Sequence, residues 1–271
     1  MTDDGPGVTE APFTALRQAR LLRRLSAGPV TDSWLYEAPE GRLVLRRDRP
    51  LAARLGLDRK NEWKLLGAMA TAGLGPMPVA VDTDRGLLLT RHIDRPVWAA
   101  KGLENPEYLH ALGRLLRRVH EAPPVGKAFE PAGIAVHYAA QLPAGIGNSL
   151  ADEAATLASA LYPAGDVTCP CHHDAHAGNL VGHAPARLID WEYAAMGQPW
   201  MDFAVVARFH QFDSAQLAGI AEGWCDDRGV HGVETGRWAG YDVADVASRV
   251  QPYFRLYDIL ATLWEQVVNG T

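Results

Sequence analysis

Between Cys171 and Tyr193 the chain spaces three polar side chains in a way that few folds can use: Asp174, Asn179 five residues later, and Asp190 eleven beyond that. The stretch between the last two, Asn179-Leu180-Val181, Gly182-His183-Ala184-Pro185 and Arg187-Leu188-Ile189-Asp190, predicts a short β-hairpin whose ends bring Asn179 and Asp190 together. Their oxygens are the hard donors that magnesium prefers, and Asp174 can orient a hydroxyl and take its proton. Phosphoryl transfer asks for that set, because the attacking hydroxyl must lie in line while cations neutralise the phosphates. Taken singly, Asp and Asn are ordinary turn residues, and Gly178-Asn179 also reads as a turn. The combination carries the chemistry, with His172 two residues before Asp174 as a structural residue and apolar residues on both hairpin arms.

The Asp-x-x-x-x-Asn spacing is also that of the protein-kinase catalytic loop. The segment from Cys171 to Ala204 resembles the core of the aminoglycoside phosphotransferase and choline kinase superfamily, and the likeness extends more weakly over most of the chain. His-Ala-Gly-Asn-Leu-Val (176 to 181) and Leu-Ile-Asp-Trp-Glu-Tyr-Ala (188 to 194) are similar to bacterial thiamine kinases and choline kinases. This resemblance implies an α+β, protein-kinase-like two-lobed fold, with a small N-terminal β-rich lobe (1–94) that binds nucleotide and a larger, mostly helical C-terminal lobe (95–271). It also implies Asp174 as catalytic base, Asn179 and Asp190 as ligands of Mg2+, and ATP as phosphoryl donor. Asp202, at a helix start in Trp200-Met201-Asp202-Phe203-Ala204, is then structural support that braces the catalytic loop, as His172 is.

Upstream, Thr14 to Arg24 carries apolar residues at helical spacing, and Arg24 to Tyr36 reads as strand, turn, strand. Gly28 would let that turn approach phosphates, and the Ser26, Thr31 and Ser33 hydroxyls could bond their oxygens; an ordinary hairpin fits equally. Gly41 to Arg47 predicts a strand where the resemblance expects a phosphate-binding cation. The chain has only four lysines, at 60, 64, 101 and 127, so Arg46 is the candidate, with Arg47 next if the register slips. Asp58 to Ala70 predicts a helix on which Glu62 either pairs with Arg46 or is solvated. Strands over Met77 to Asp82 and Gly86 to Thr90 lead into Arg91-His92-Ile93-Asp94, the hinge of a kinase-like fold, with Thr90 and His92 on the nucleotide side. Helices follow over Asn105 to His120 and Ser149 to Tyr162.

A formal charge of −6 argues against nucleic acid as partner, since such proteins usually show a basic face, and it is compatible with a cationic small molecule. Met1 to Pro12 lacks the basic start and apolar run of a secretory signal, no stretch is long enough to span a membrane, and three cysteines make no disulfide framework. A cytoplasmic protein without membrane attachment is the expectation. Cys169, Cys171, His172, His173 and His176 raise a zinc alternative, but their spacing is poor for four ligands and alternation on a strand explains the paired cysteines.

The C-terminal third interleaves aromatic residues with carboxylates, including Asp226 and Asp227, a composition that suits cations. Glu192, Tyr257, Asp258 and Trp264 are the candidate substrate contacts. Only eleven residues separate Asp190 from Asp202, too few for an activation segment of the kind protein-directed kinases carry. The expected reaction is ATP- and Mg2+-dependent phosphorylation of a small cationic alcohol of thiamine or choline type. An aminoglycoside phosphotransferase and a non-catalytic nucleotide- or metabolite-binding protein are the alternatives.

Overall fold

The computed structural model describes residues 13–143, 145, 147–166, 168–226, 238 and 240–270. Met1 to Pro12 and Asp227, for which the sequence raises expectations, lie outside these residues. Five antiparallel strands, β1 (Arg20–Ala27), β2 (Thr31–Ala38), β3 (Gly41–Asp48), β4 (Pro78–Asp82) and β5 (Leu87–Arg91), form one sheet in the order β1-β2-β3-β5-β4. Period-two alternation gives it two faces. Leu43 and Leu45 of β3 join Trp34, Tyr36, Leu87 and Leu89 in a small core that Phe13 and Leu16 close. Val44 and Arg46 turn to the opposite face, towards α2 (Arg59–Thr71).

The helix expected over Thr14 to Arg24 is not formed. Thr14–Leu16 makes one 3-10 turn and the chain enters β1 at Arg20. Pairing with β2 from Arg20↔Glu37 to Ala27↔Asp32 settles the conformation, because a ladder of backbone hydrogen bonds outweighs a weak local preference for helix. Helix α2 begins where expected, capped by the Asp58 carboxylate on the Lys60 and Asn61 amides. Its first turn buries polar Arg59, Asn61 and Glu62, and its later turns bury Leu65, Leu66 and Met69.

After the short α1 (Pro50–Arg54) and these elements, the chain from Pro106 is mainly helical: α3 (Pro106–His120), α4 (Pro131–Ala139), α5 (Asn148–Leu161), α6 (Pro199–Phe209), α7 (Ser214–Cys225) and α8 (Val243–Asn269). Helices α3 and α7 cross closely enough that a Cβ at Gly113 would fall 2.1 Å from the Ile220 carbonyl oxygen, so glycine is required there. Two small ribbons carry the catalytic stretch: β6 (Cys169–Cys171) pairs with β9 (Ala195–Gly197), and β7 (Leu180–Val181) with β8 (Arg187–Leu188). The second is the hairpin expected from the sequence. Among the described residues no helix is long and apolar enough to cross a membrane.

Candidate active site

The loop that leaves β6 is fixed from below by Asp202, in the first turn of α6 and fully buried. Its Oδ2 accepts the His172 backbone N–H at 3.0 Å and its Oδ1 that of His173 at 2.6 Å. His120 Nε2 lies 3.0 Å from Oδ2, and the Trp224 indole N–H, which can only donate, reaches His120 Nδ1 at 3.0 Å. His120 Nε2 therefore carries the proton and donates it to Asp202. Burial alone would raise the Asp202 pKa, but the His120 hydrogen bond, the neighbouring imidazoles and the His172 amide outweigh it and hold the pKa at about 2. His173 has a left-handed backbone, φ 60°, which non-glycine residues enter at a cost of about 1 kcal/mol. The Asp202 bond and a stacked Phe129 ring, with centroids 4.0 Å apart, keep it there.

His172 donates its amide to this carboxylate, while its Nε2 sits 3.0 Å from the Ile189 carbonyl oxygen and its ring meets Trp191 edge-on. Burial lowers its pKa to about 4 from 6.5. A base whose folded pKa is depressed stabilises the fold fully above pH 6.5 and loses that contribution as pH falls towards 4, since the unfolded chain takes up the proton first; the loss is about 3 kcal/mol. Asp202, depressed from 3.8, withdraws its own contribution only between pH 3.8 and 2. Urea midpoints should thus fall between pH 6.5 and 4, and His172→Gln should flatten the fall. An equally steep fall in that variant would remove His172 as the cause.

Asp174 and Asn179 are joined directly. Asn179 Nδ2 donates to the Asp174 carbonyl at 2.9 Å and to its Oδ2 at 2.8 Å, which turns the amide oxygen away from Asp174. Burial, then the charges of Asp190 and Glu192, push the Asp174 carboxyl well above the usual carboxylate range. The β7–β8 hairpin ends on an Ile189 N–H donated to the Asn179 carbonyl at 2.9 Å, which places Asp190 beside Asn179. Asp190 also has a left-handed backbone, φ 64°. Among the described residues three non-glycine residues have this backbone, His173, Asp190 and Gln211, and two of them fall in the catalytic stretch, where strained backbone often accompanies function.

From the other side Arg46 reaches in. Its NH1 donates to Asp190 Oδ1 at 2.7 Å and its NH2 to Glu62 Oε2 at 2.5 Å, with Glu192 Oε2 at 3.8 Å from NH1. Burial works against the Arg46 charge, but Glu62, Asp190 and Glu192 outweigh it. Arg47, on the opposite face of β3, lies over the Trp34 ring at 5.0 Å. The strand's alternation has chosen between the two arginines.

Arg46, Glu62, Asn179 and Asp190 face a cleft of about 710 Å³ between the sheet and the helical part, whereas Asp174 and Glu192 are not among its lining residues. Ser26, Ser33, Arg46, Glu62, Thr90, His92, Asn179 and Asp190 all line it. Gly28 is in the β1–β2 turn, its N–H on the Thr31 carbonyl at 3.0 Å, and is not among the lining residues. Of the expected substrate contacts, Trp264 donates its indole N–H to the Tyr193 hydroxyl at 2.9 Å, and burial followed by the nearby Asp174 charge raises Tyr257 to about 12. Glu192 is turned to the arginines, 3.1 Å from Arg59 NH1; burial and the Asp190 charge outweigh Arg46 and Arg59 and hold its pKa at about 8. Asp258 is engaged elsewhere, in a two-pronged ion pair with Arg208.

Arg59, Tyr138 and His120 belong to the arrangement and were not singled out in the sequence, whereas Tyr193 stands within the 188–194 motif. Arg59, three residues before Glu62 and so on the same helix face, left a signal; Tyr138 and His120 left none. Of the residues that raised the zinc alternative, Cys169 and Cys171 but not His172, His173 or His176 fall in a group of described residues that could hold a metal ion. The group that could hold a metal ion among the described residues is His120 with Cys169 and Cys171, whose sulfurs are 3.7 Å apart, and both His120 nitrogens are already engaged. The cysteines are buried side chains on one face of β6.

The model of the phosphotransferase enzyme family matches residues 21–236. The chain belongs to that family. No curated protein matches it. Among solved structures, the phosphotransferase is similar to a choline/ethanolamine kinase family protein from Mesorhizobium loti, at 23% identity over 97% of this chain and 83% of that one, with TM-score 0.70. It is also similar to choline kinase LicA from Streptococcus pneumoniae (18% identity, 93% and 87% covered, TM-score 0.71). A third is an ethanolamine kinase of Plasmodium vivax (11% identity, 98% and 81% covered, TM-score 0.71). At these identities the likeness shows the kinase-like fold: the antiparallel sheet of the N-terminal lobe set against a helical C-terminal part.

Proposed function

We propose that this phosphotransferase transfers the γ-phosphoryl group of ATP to the hydroxyl of a small cationic alcohol, with Asp174 as base and Asn179 and Asp190 as ligands of Mg2+. The observation that carries it is the chain of contacts from Asp174 through the Asn179 amide to Asp190 and Arg46, of which Asn179, Asp190 and Arg46 line the cleft and Asp174 is joined to it through Asn179. The donor set fits magnesium, because the Asn179 amide spends its nitrogen on Asp174 and so offers its oxygen, beside the Asp190 carboxylate. When bound, the ion supplies charge neutralisation on the phosphates.

Arg46, held by buried Glu62, is a guanidinium fork suited to phosphate oxygens. Asp174, braced through His172 and His173, is placed to accept the proton of the attacking hydroxyl, and its raised pKa makes it a stronger base than a solvated carboxylate. The nucleotide is assigned to the cleft, its base towards Thr90 and His92. We read 1–94 as the nucleotide-binding lobe and 95–271 as the catalytic and substrate-binding lobe, a division supported by the cleft having sheet residues on one side and the β7–β8 ribbon on the other.

A cationic acceptor is favoured by the side chains around Asp174. Tyr138 and Tyr193 have pKa values raised by burial and then by the Glu192 charge, and Trp264 and Tyr257 sit seven residues apart on α8 and so share a face. Aromatic faces beside carboxylates bind quaternary or aromatic cations, each well-placed ring giving about 0.5–2 kcal/mol. The resemblance in the 176–181 and 188–194 motifs puts thiamine and choline first.

The deciding experiment offers thiamine, choline, ethanolamine and several aminoglycosides with ATP or GTP and magnesium, read by mass spectrometry. One phosphorylated cationic alcohol is the expected outcome. Phosphorylation of an aminoglycoside alone would move the assignment to that class. Binding of ATP with no product from any acceptor, including a metabolite extract, would leave a non-catalytic binder.

A further inference from the structure

Arg59 is the most heavily engaged side chain near the cleft, yet it does not line it. Its Nε and NH2 grip the two Asp48 oxygens at 2.8 and 2.5 Å, at the end of β3. Its NH1 donates to Glu62 Oε2 at 2.8 Å and to Glu192 Oε2 at 3.1 Å. The same guanidinium thus touches the strand that carries Arg46, the helix that carries the partner of Arg46, and the loop two residues beyond Asp190. Two residues along α2, Asn61 makes a parallel tie: its Nδ2 donates to the Ala194 carbonyl at 2.8 Å and its Oδ1 accepts the Lys127 amide at 2.7 Å. The first turn of α2 is therefore fastened to the helical part by two side chains.

We infer that Arg59 is a positioning residue that sets the nucleotide side of the cleft by fixing the glutamates on either side of Arg46. Both Glu62 and Glu192 present Oε2 to Arg59, and Arg46 lies within reach of the same two atoms. With Arg59 in place the two glutamates are shared between two guanidiniums, and the Arg46 fork has a defined direction towards Asp190 and the cleft. Without it, Arg46 is the only guanidinium among the described residues in contact with Glu62 and Glu192, and they draw it out of line. The bidentate grip on Asp48 makes this device depend on arginine, since a lysine ammonium cannot hold Asp48 and both glutamates with one fixed geometry.

The inference rests on the cleft being a nucleotide site, and the test separates the two. Mg-ATP affinity is measured by calorimetry for the full chain and for Arg59→Gln, Glu192→Gln and the double variant, with melting temperatures alongside. Arg59→Gln should weaken Mg-ATP binding about tenfold, and the double variant should bind no more weakly than Arg59→Gln alone, since the Arg59–Glu192 contact is shared by the two substitutions. Should Arg59→Gln not fold, Arg59→Lys carries the test, with an expected loss of about threefold. Unchanged affinity with only a lowered melting temperature would overturn the inference while leaving the cleft reading intact, and so would losses that multiply in the double variant. A wild-type chain that bound no nucleotide would overturn both.

Discussion

Replacing Asp174 with alanine is expected to lower turnover about a hundred- to ten-thousand-fold, the range that a positioned general base contributes. Mg-ATP affinity should change little, because the residues placed on the phosphate side of the cleft are Arg46, Asn179 and Asp190. The split between the two measurements is the informative part. Asp174 accepts a hydrogen bond from Asn179, so some disturbance of this proposed metal ligand accompanies the substitution. Asp174→Asn, which keeps the shape and removes the base, separates that disturbance from the loss of proton acceptance. Turnover of either variant at the wild-type rate in a contaminant-free assay would remove Asp174 from the mechanism. Loss of nucleotide binding in both would instead make it part of the binding site.

Asp202→Ala is the second large effect, and it should appear first in stability. The carboxylate satisfies two backbone amides and the His120 Nε2–H in a fully buried position. Removing it strands three donors and breaks a buried charge-assisted network, a loss of about 3–5 kcal/mol. For a chain of this length that lowers the melting temperature by about 10 °C. The loop through His172 and His173 then loses what holds its left-handed turn, so turnover should fall even at temperatures where the variant is folded. A melting temperature within 2 °C of wild type, by differential scanning calorimetry, would show that Asp202 does not brace the loop.

Much of the site was legible because its parts are local. A five-residue spacing, a hairpin with its turn, and a helix whose first turn carries Asp202 twelve residues after Asp190 are all set by short-range geometry, and the hairpin and the helix formed as the residues imply. Period-two alternation on β3 was readable too, although only the sheet decided that Arg46 and not Arg47 faces the cleft. The failure at Thr14 to Arg24 has the same root. Helical spacing of apolar residues is a local cue, and the partner strand that overrode it lies beyond a turn. The neighbours of Asp258 in sequence give no sign of its ion pair with Arg208 on α6, fifty residues away.

By itself the sequence determined which residues could do the chemistry and in what order they come, because spacing along a hairpin or helix fixes direction within a few residues. Tertiary structure alone decided which of them meet. Asp48, Arg59, Glu62 and Glu192 form one network across 144 residues of chain, and Tyr193 finds Trp264 across 71 more. No local preference encodes such contacts. They follow from burying two apolar surfaces together, which forces the charged groups carried between them to find partners at the seam.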